Sequence, residues 1–315
     1  MPDNTLFIET TNRCNLRCEA CGYWKTHQTR SITANDFQKI LQLLDNIRIN
    51  RVHFTGGEPL LNKSIEEMIY VAKNKDMCTK ISTNGTLIYK NVSCKMAEKI
   101  DEIMISVDST DATTYKQIRG KDLFEDVVKG INFFTSRKNR PLITLSYLIQ
   151  KKNYKMAADF VDFASAYDID RVVFLVPDKK GDFSGNLEIT KYNEEMFFSE
   201  NEKAEWKEEI YPQLIENINK NRHKIQFQNE KHMGAIRDYF EAEQVRVREH
   251  VCGQALNTIF IDSKMKVKLC PYFEKTFPIN TPDIVHDIEN ERLKILLDKK
   301  LQLSKCRYCM ETQVE

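Results

Sequence analysis

No run of 18 apolar residues occurs in the 315-residue chain, and a membrane-spanning helix needs at least about that many. The N-terminus has no basic segment followed by an apolar one, which excludes the pattern of a secretory signal. Charge of one sign is not in excess either: 47 Lys and Arg stand against 46 Asp and Glu. A nucleic-acid surface would show as a basic surplus, and a membrane-surface segment or disordered tail as a block of like charge. With neither present, no nucleic-acid or membrane partner is expected. Low-complexity segments are absent, as is any repeat beyond strand–helix alternation. The chain is therefore expected in the cytoplasm, where thiols stay reduced and disulfides are rare. Its nine cysteines are better read as metal ligands. Three lie at 14–21 and four at 252–309, with only Cys78 and Cys94 between.

The first trio, Cys14-x3-Cys18-x2-Cys21, follows a strand-capable segment, Leu6–Thr10. Three thiolates on one tight loop can hold three irons of a [4Fe–4S] cube. Such clusters ordinarily take four cysteines, so the missing fourth leaves one iron for a small-molecule ligand. The alternative is a zinc knuckle closed by His27. Zinc loops, however, use C-x2-C pairs and a fourth Cys or His.

Hydrophobic periodicity organises the rest. Thr33 is placed to cap a helix through Phe37, Ile40, Leu41 and Leu44. Arg51–Thr55 reads as a second strand, ending in Gly56-Gly57-Glu58-Pro59, and Ser64-x-x-Glu67 has the form of a capping box. Further strands are expected at 79–83, 102–107, 142–149 and 171–176, with helices between them, including 123–135 and 156–166. Strands alternating with helices predict a parallel sheet with right-handed crossovers. Six units give an α/β fold, a partial (β/α)6 barrel with its sites at the strand C-terminal ends. The cysteine loop, the Gly-Gly-Glu-Pro turn, Asn84 and Asp108 all fall at such ends. We divide the chain into a barrel over 1–183, covering helices over 184–250 (patterns at 203–220 and 231–247), and a small C-terminal domain over 251–315. That last part is a β-hairpin, Leu256–Asp262 and Lys266–Cys270, plus a helix over 289–301.

With Cys14-x3-Cys18-x2-Cys21 followed by Gly56-Gly57-Glu58-Pro59 after the second strand, residues 5–180 resemble radical S-adenosylmethionine (SAM) enzymes. The resemblance implies that the open iron chelates SAM and that a 5′-deoxyadenosyl radical takes hydrogen from substrate carbon. It also implies SAM contacts at Gly56, Gly57, Glu58, Pro59, Ser82, Asn84, Ser106 and Arg119, with Glu58 an anion near the SAM ammonium. Ala20 departs from the family, which commonly has an aromatic residue before the third cysteine. Tyr23 or Trp24 is expected to take that place beside the adenine.

The second set, Cys252-x17-Cys270 and Cys306-x2-Cys309, supplies four thiolates. On chemistry alone these suit either a second [4Fe–4S] cluster or a structural zinc. The stretch resembles the Twitch domain, the shortened SPASM domain found after many radical SAM cores. That implies one fully ligated auxiliary cluster, since no cysteine is left for another, and hence two [4Fe–4S] clusters in all. The glycine usual ahead of the second cysteine is absent, with Met265 and Lys266 near its place. A fully ligated cluster suits electron transfer, and the pattern is similar to radical SAM dehydrogenases of aminocyclitols.

The expected activity is thus oxidation of an alcohol carbon in a sugar-like or cyclitol-like small molecule. The expected electron donor is a flavodoxin or ferredoxin. The alternatives are modification of a peptide side chain and epimerisation. Peptide modifiers often carry an N-terminal recognition domain, for which too few residues precede the first strand. Epimerisation needs a hydrogen donor, and neither Cys78 nor Cys94 is well placed. An electron carrier or zinc scaffold without catalysis is the remaining class. Candidate substrate-side residues are Asp108, Asp178, Lys179 and Tyr23.

Overall fold

The structure, a computed structural model, describes residues 4–178, 194–241, 256–269, 276–281 and 283–297. Six strands pair in sequence order, all parallel: β1 (Asn4–Thr11), β2 (Ile49–Gly56), β3 (Cys78–Thr83), β4 (Glu102–Ser106), β5 (Leu142–Leu148) and β6 (Arg171–Leu175). Alternation sorts their side chains onto two faces. Leu6, Ile8, Val52, Phe54, Ile81, Ile103, Ile105, Ile143, Leu145, Val172 and Phe174 are fully buried in the outer core. The helices cover that face: α1 (Ala34–Leu43), α2 (Ile65–Lys73), the single turns α3 (Ile88–Asn91) and α4 (Cys94–Ala97), α5 (Ala112–Arg119), α6 (Phe124–Thr135) and α7 (Ala157–Ser165). Phe37 of α1, for instance, meets Phe54 edge-on with ring centroids 5.7 Å apart. The opposite parity faces the concave interior.

Local signals explain some boundaries and not others. Thr33 caps α1 in a reciprocal box with Asp36. Ser64 makes no side-chain cap; Asn62 Oδ1 accepts the Ser64 N–H instead, and the expected box with Glu67 does not form. No periodic pattern marks α5, whose sequence is Thr-rich. It is held by Asp111, whose carboxylate accepts the N–H groups of Thr113 and Thr114, and it ends at Gly120 in the left-handed region.

Both sheet edges are covered, as exposed edges would otherwise pair with other chains. Beside β6, Gln226 exchanges backbone hydrogen bonds with Asp170 and Val172, and Gln228 brackets Phe174. That segment follows α8 (Glu200–Glu205), a π-helical stretch (Trp206–Ile210) and α9 (Tyr211–Asn221), and precedes α10 (Glu230–Tyr239). Beside β1 lies β7 (Thr258–Ile261), parallel to it, followed by antiparallel β8 (Lys266–Lys268) and β9 (Phe277–Pro278). The expected hairpin therefore forms, but it continues the barrel sheet, giving nine strands in the order β6-β5-β4-β3-β2-β1-β7-β8-β9. The last described helix, α11 (Ile284–Leu297), begins five residues before the periodicity suggested, and its Arg292 donates to Asn4 Oδ1 at 2.7 Å. Among the described residues no helix is long and apolar enough to cross a membrane.

Candidate active site

The two glycines after β2 are explained by what lies against them. Gly57 N–H donates to Thr11 O at 2.8 Å and Glu58 N–H to Arg13 O at 2.7 Å. This ties the turn to the backbone that leads into Cys14. A Cβ on Gly57 would sit 2.2 Å from Arg13 O. One on Gly56, whose φ is +138°, would sit 2.3 Å from Thr11 O. Only glycine permits that approach.

Glu58 is wholly buried, and its carboxylate is already engaged. It accepts from Leu60 N–H (3.0 Å), the Thr83 hydroxyl (2.7 Å) and Asn84 N–H (2.8 Å), lacing the end of β2 to the end of β3. Burial pushes its carboxyl up to about 6 against these donors. The resemblance implies an anion near the SAM ammonium; in the structure both carboxylate oxygens take these internal donors. Pro59 opens the 3-10 turn that follows. Asn84 turns toward the cysteine loop: Nδ2 donates to Asn15 Oδ1 at 2.8 Å and approaches Cys14 Sγ at 3.9 Å, while Oδ1 accepts from Thr86.

The other side of the loop is clamped by the end of α5. Arg17 N–H donates to Arg119 O and Glu19 N–H to Ile118 O. Gly120 lies so close that a Cβ would meet Arg17 O at 2.5 Å. Arg119 Nη1 donates to Cys18 Sγ at 3.7 Å, and Nη2 pairs with Asp108 Oδ2 at 2.7 Å. Burial works against the guanidinium charge, but Asp108 beside it holds the arginine protonated. Asp108 has φ +61°, and its second oxygen accepts Leu148 N–H. Offered by the sequence as a substrate-side group, Asp108 is instead committed to a buried ion pair that aims Arg119 at Cys18.

Trp24 closes the loop by donating to Cys18 O at 3.1 Å under the cations of Arg17 and Lys25, so its indole is already committed. Tyr23 points to Glu9. Its hydroxyl donates to Glu9 Oε2 at 2.9 Å, while Ser263 of the β7–β8 turn donates to Oε1 at 2.5 Å. Burial raises the Glu9 carboxyl against both donors. No motif marks Glu9; only the inward parity of β1 could have found it.

The concave face below carries polar side chains beside apolar ones such as the stacked pair Phe7 and Phe260, where a closed barrel is filled by branched apolar residues. Phe7, His53, Lys80 and Glu102 are neighbours in one row across β1–β4. His53 Nε2 lies 2.7 Å from Ser82 Oγ, and Ser146 Oγ donates to Ser106 Oγ at 3.3 Å. Ser82 and Ser106 thus open onto this face. Burial, then Lys80 and Arg51, lower the His53 pKa to about 3, so the ring is neutral.

Cys14, Cys18 and Cys21 stand on the loop outside any disulfide. Burial pushes Cys14 up to about 11 and also raises Cys18, which Arg119 partly opposes. Among the described residues no three Cys, His, Asp or Glu side chains stand at metal-binding separation. The donor set still fits an iron–sulfur cluster: three thiols on one loop suit iron that binds thiolate. Beside Cys18, the Arg119 Nε and Tyr115 hydroxyl are buried without a hydrogen-bond partner, as polar groups that await a ligand would be. Cys78 begins β3 at the far end of the barrel, and Cys94 begins α4 on the outside, where Arg137 donates to it. Asp178 follows β6. Lys179, Cys252, Cys270, Cys306 and Cys309 lie outside the described residues. Leu269, the residue before Cys270, has its carbonyl 3.4 Å from Thr258 Oγ1, and Thr258 pairs with Thr5 at the start of β1. The hairpin's open end thus faces away from the cysteine loop.

Residues 8–164 match the model of the Radical SAM superfamily. The chain is 29% identical over 184 residues to a GTP 3′,8-cyclase of Clostridium acetobutylicum, covering 56% of this chain and 57% of that protein. It is 31% identical over 172 residues to a probable GTP 3′,8-cyclase of Sulfolobus acidocaldarius, covering 53% and 54%. The chain spans about half the length of these curated relatives. Among solved structures, Streptococcus suis SuiB bound to S-adenosylmethionine aligns at a TM-score of 0.67 with 18% identity, over 99% of this chain and 72% of that one. The structure of anSMEcpe with bound AdoMet and a Kp18Cys peptide aligns at 0.66 with 16% identity, over 99% and 88%. These likenesses establish the fold.

Proposed function

On a chain that carries a radical SAM domain over residues 8–164, we propose an enzyme that oxidises an alcohol carbon of a small polar substrate held in the barrel. The observation that carries this is the set of polar residues that share the inward parity of β1–β5 beneath the cysteine loop, Glu9, His53, Lys80, Ser82, Ser106 and Ser146. In this reading Cys14, Cys18 and Cys21 hold a [4Fe–4S] cluster. Bound there with SAM and reduced by a flavodoxin or ferredoxin, such a cluster would supply the radical chemistry for removing hydrogen from a substrate carbon. Arg119, fixed by Asp108, together with Asn84, Ser82 and Ser106, orients SAM. Glu9 takes the hydroxyl proton, and its raised pKa and two hydroxyl donors support that role. Tyr23 positions Glu9. Cys252, Cys270, Cys306 and Cys309 would hold the second cluster, the acceptor for the electron left on the substrate.

The relatives named as GTP 3′,8-cyclases favour a small polar substrate. A second reading, modification of a peptide, is favoured by the structure of SuiB bound to precursor peptide SuiA, which aligns over 99% of this chain. Anaerobic reconstitution with SAM and reductant decides the class. 5′-Deoxyadenosine is expected from the wild type and none from Cys14→Ala, Cys18→Ala or Cys21→Ala. Deuterium carried into 5′-deoxyadenosine from labelled polyols, and not from peptides, selects the first reading. Cys306→Ala is expected to cleave SAM without forming product, and full product from it would remove the electron-acceptor role.

A further inference from the structure

We propose that Ser263, in the β7–β8 turn, is a positioning residue that fixes the Glu9 carboxylate, so that the C-terminal hairpin completes the proton-accepting site of the barrel. This deepens the function proposed above and rests on its reading of Glu9. β7 runs parallel to β1, with Phe260 beside Phe7 and Ile261 beside Ile8. The Phe7 and Phe260 rings stack with centroids 4.6 Å apart. The strand therefore delivers its turn level with Glu9. That turn is fastened by its own bonds. Asp262 Oδ1 accepts the N–H groups of Lys264 and Lys266, both at 2.9 Å, and the N–H of Met265, at φ +62°, donates to Asp262 O. Lys264 at its tip is exposed, as loop tips usually are, yet Ser263 beside it is buried. The Ser263 hydroxyl donates across to Glu9 Oε1 at 2.5 Å.

Each Glu9 oxygen thus has a donor from a different part of the chain, Tyr23 after the cysteine loop at 2.9 Å and Ser263 from the hairpin. A carboxylate oxygen has two lone pairs, so each keeps one for a substrate hydroxyl. The groups that face Glu9 are Tyr23, itself under the influence of Cys21, then Ser263 and Asp262 of the hairpin, and the uncharged Thr55 and Gly56 of β2. Burial raises the Glu9 pKa; Ser263 opposes burial most, then Tyr23, while Asp262 reinforces it. The hydroxyl donors therefore hold Glu9 toward the ionised form that a proton acceptor needs. Oxidising an alcohol to a ketone removes a hydrogen atom from carbon, a proton from oxygen and one electron. In the proposed reaction the hydrogen atom goes to the radical, the proton to Glu9 and the electron to the second cluster. The hairpin that holds Glu9 runs on to Cys270, a ligand of that cluster in the same reading, so one arm of the chain serves both the proton and the electron.

Titration of Glu9 in the full-length chain tests this, followed by ¹³C NMR after labelling at glutamate Cδ. The Glu9 signal is the one missing from Glu9→Gln. Ser263→Ala is expected to raise the Glu9 midpoint by about one pH unit or more, and Ser263→Thr, which keeps the hydroxyl, to leave it near the wild type. Asp262→Asn is expected to lower the midpoint, since it removes the like charge while its amide oxygen can still accept from Lys264 and Lys266. A merely loosened turn would not move the two midpoints in opposite directions. An unmoved midpoint in Ser263→Ala, a shift of the same sign in Asp262→Asn, or a Ser263→Thr shift as large as that of Ser263→Ala would overturn the proposal. Should Ser263→Ala fail to fold, Asp262→Asn decides, and an unmoved midpoint there refutes the coupling. Absence of 5′-deoxyadenosine from the wild type with these shifts intact refutes the radical chemistry and leaves the coupling standing. The reverse pattern refutes the coupling alone.

Discussion

Replacing Asp108 by Asn isolates the charge of the buried pair from its geometry. Asn tolerates the left-handed backbone that Asp108 adopts, and its amide oxygen can still accept Leu148 N–H. What is lost is the anion 2.7 Å from Arg119, whose side chain is only 10% exposed. Arg119 would retain the weak contact to Cys18 Sγ and a buried Nε with no partner. Removing one partner of a buried ion pair costs about 3–5 kcal/mol, because the other charge is left uncompensated. For a chain of this size each kcal/mol lowers the melting temperature by about 2–4 °C, so Asp108→Asn should melt roughly 6–20 °C below the wild type. Anaerobic scanning calorimetry is the assay. Asp108→Asn combined with Arg119→Met should recover most of the loss, since apolar replacement of a whole buried pair is often neutral. A single variant that melts within about 2 °C of the wild type, or a double variant no better than the single, would refute the argument that this charge pair fixes Arg119.

Gly57→Ala would drive a Cβ to 2.2 Å from Arg13 O and 2.6 Å from Arg13 C, both backbone atoms. It should cost about 1–3 kcal/mol or more and abolish iron uptake, and normal iron content after reconstitution would contradict it. His53 gives a pH prediction with a definite sign. Its folded pKa is about 3 against an ordinary 6.5, so below pH 6.5 the unfolded chain binds a proton that the folded one refuses. Stability is therefore lost as pH falls, by about 2–3 kcal/mol near pH 4.5 from this residue. His53→Gln should show that much less acid loss in urea melts, and parallel curves for the two proteins would rule it out. Glu9→Gln should slow product formation about a hundredfold or more while leaving 5′-deoxyadenosine formation in place, and an unchanged product rate would exclude Glu9 as the proton acceptor.

The strands and the cysteine loop are legible in the sequence because their signals are local. Apolar alternation marks the face that the helices bury, and three cysteines within eight residues need no tertiary information. Gly56 and Gly57 were legible as glycines, but not for the reason the structure gives: their partner, the Thr11–Arg13 backbone, lies more than forty residues away in sequence. Glu58 shows the limit of a motif. Four letters say that a carboxylate stands at a strand end, but whether it faces a ligand or laces two strands depends on Thr83 and Asn84. Asp108 shows the same limit, since its partner Arg119 sits on α5, a helix without a periodic signature.

The concave face was hidden for a different reason. In an amphipathic strand the polar side ordinarily faces water, so Lys80 and Glu102 read as solvent-facing charges. Only the curvature of six strands, closed at one edge by β7 and at the other by Gln226–Gln228, turns those side chains toward one another. Once inward, they must satisfy a rule that surface charges escape: a desolvated charge has to be paired. Glu102 meets that rule with Arg51 and Lys80, at 2.5 Å and 3.8 Å.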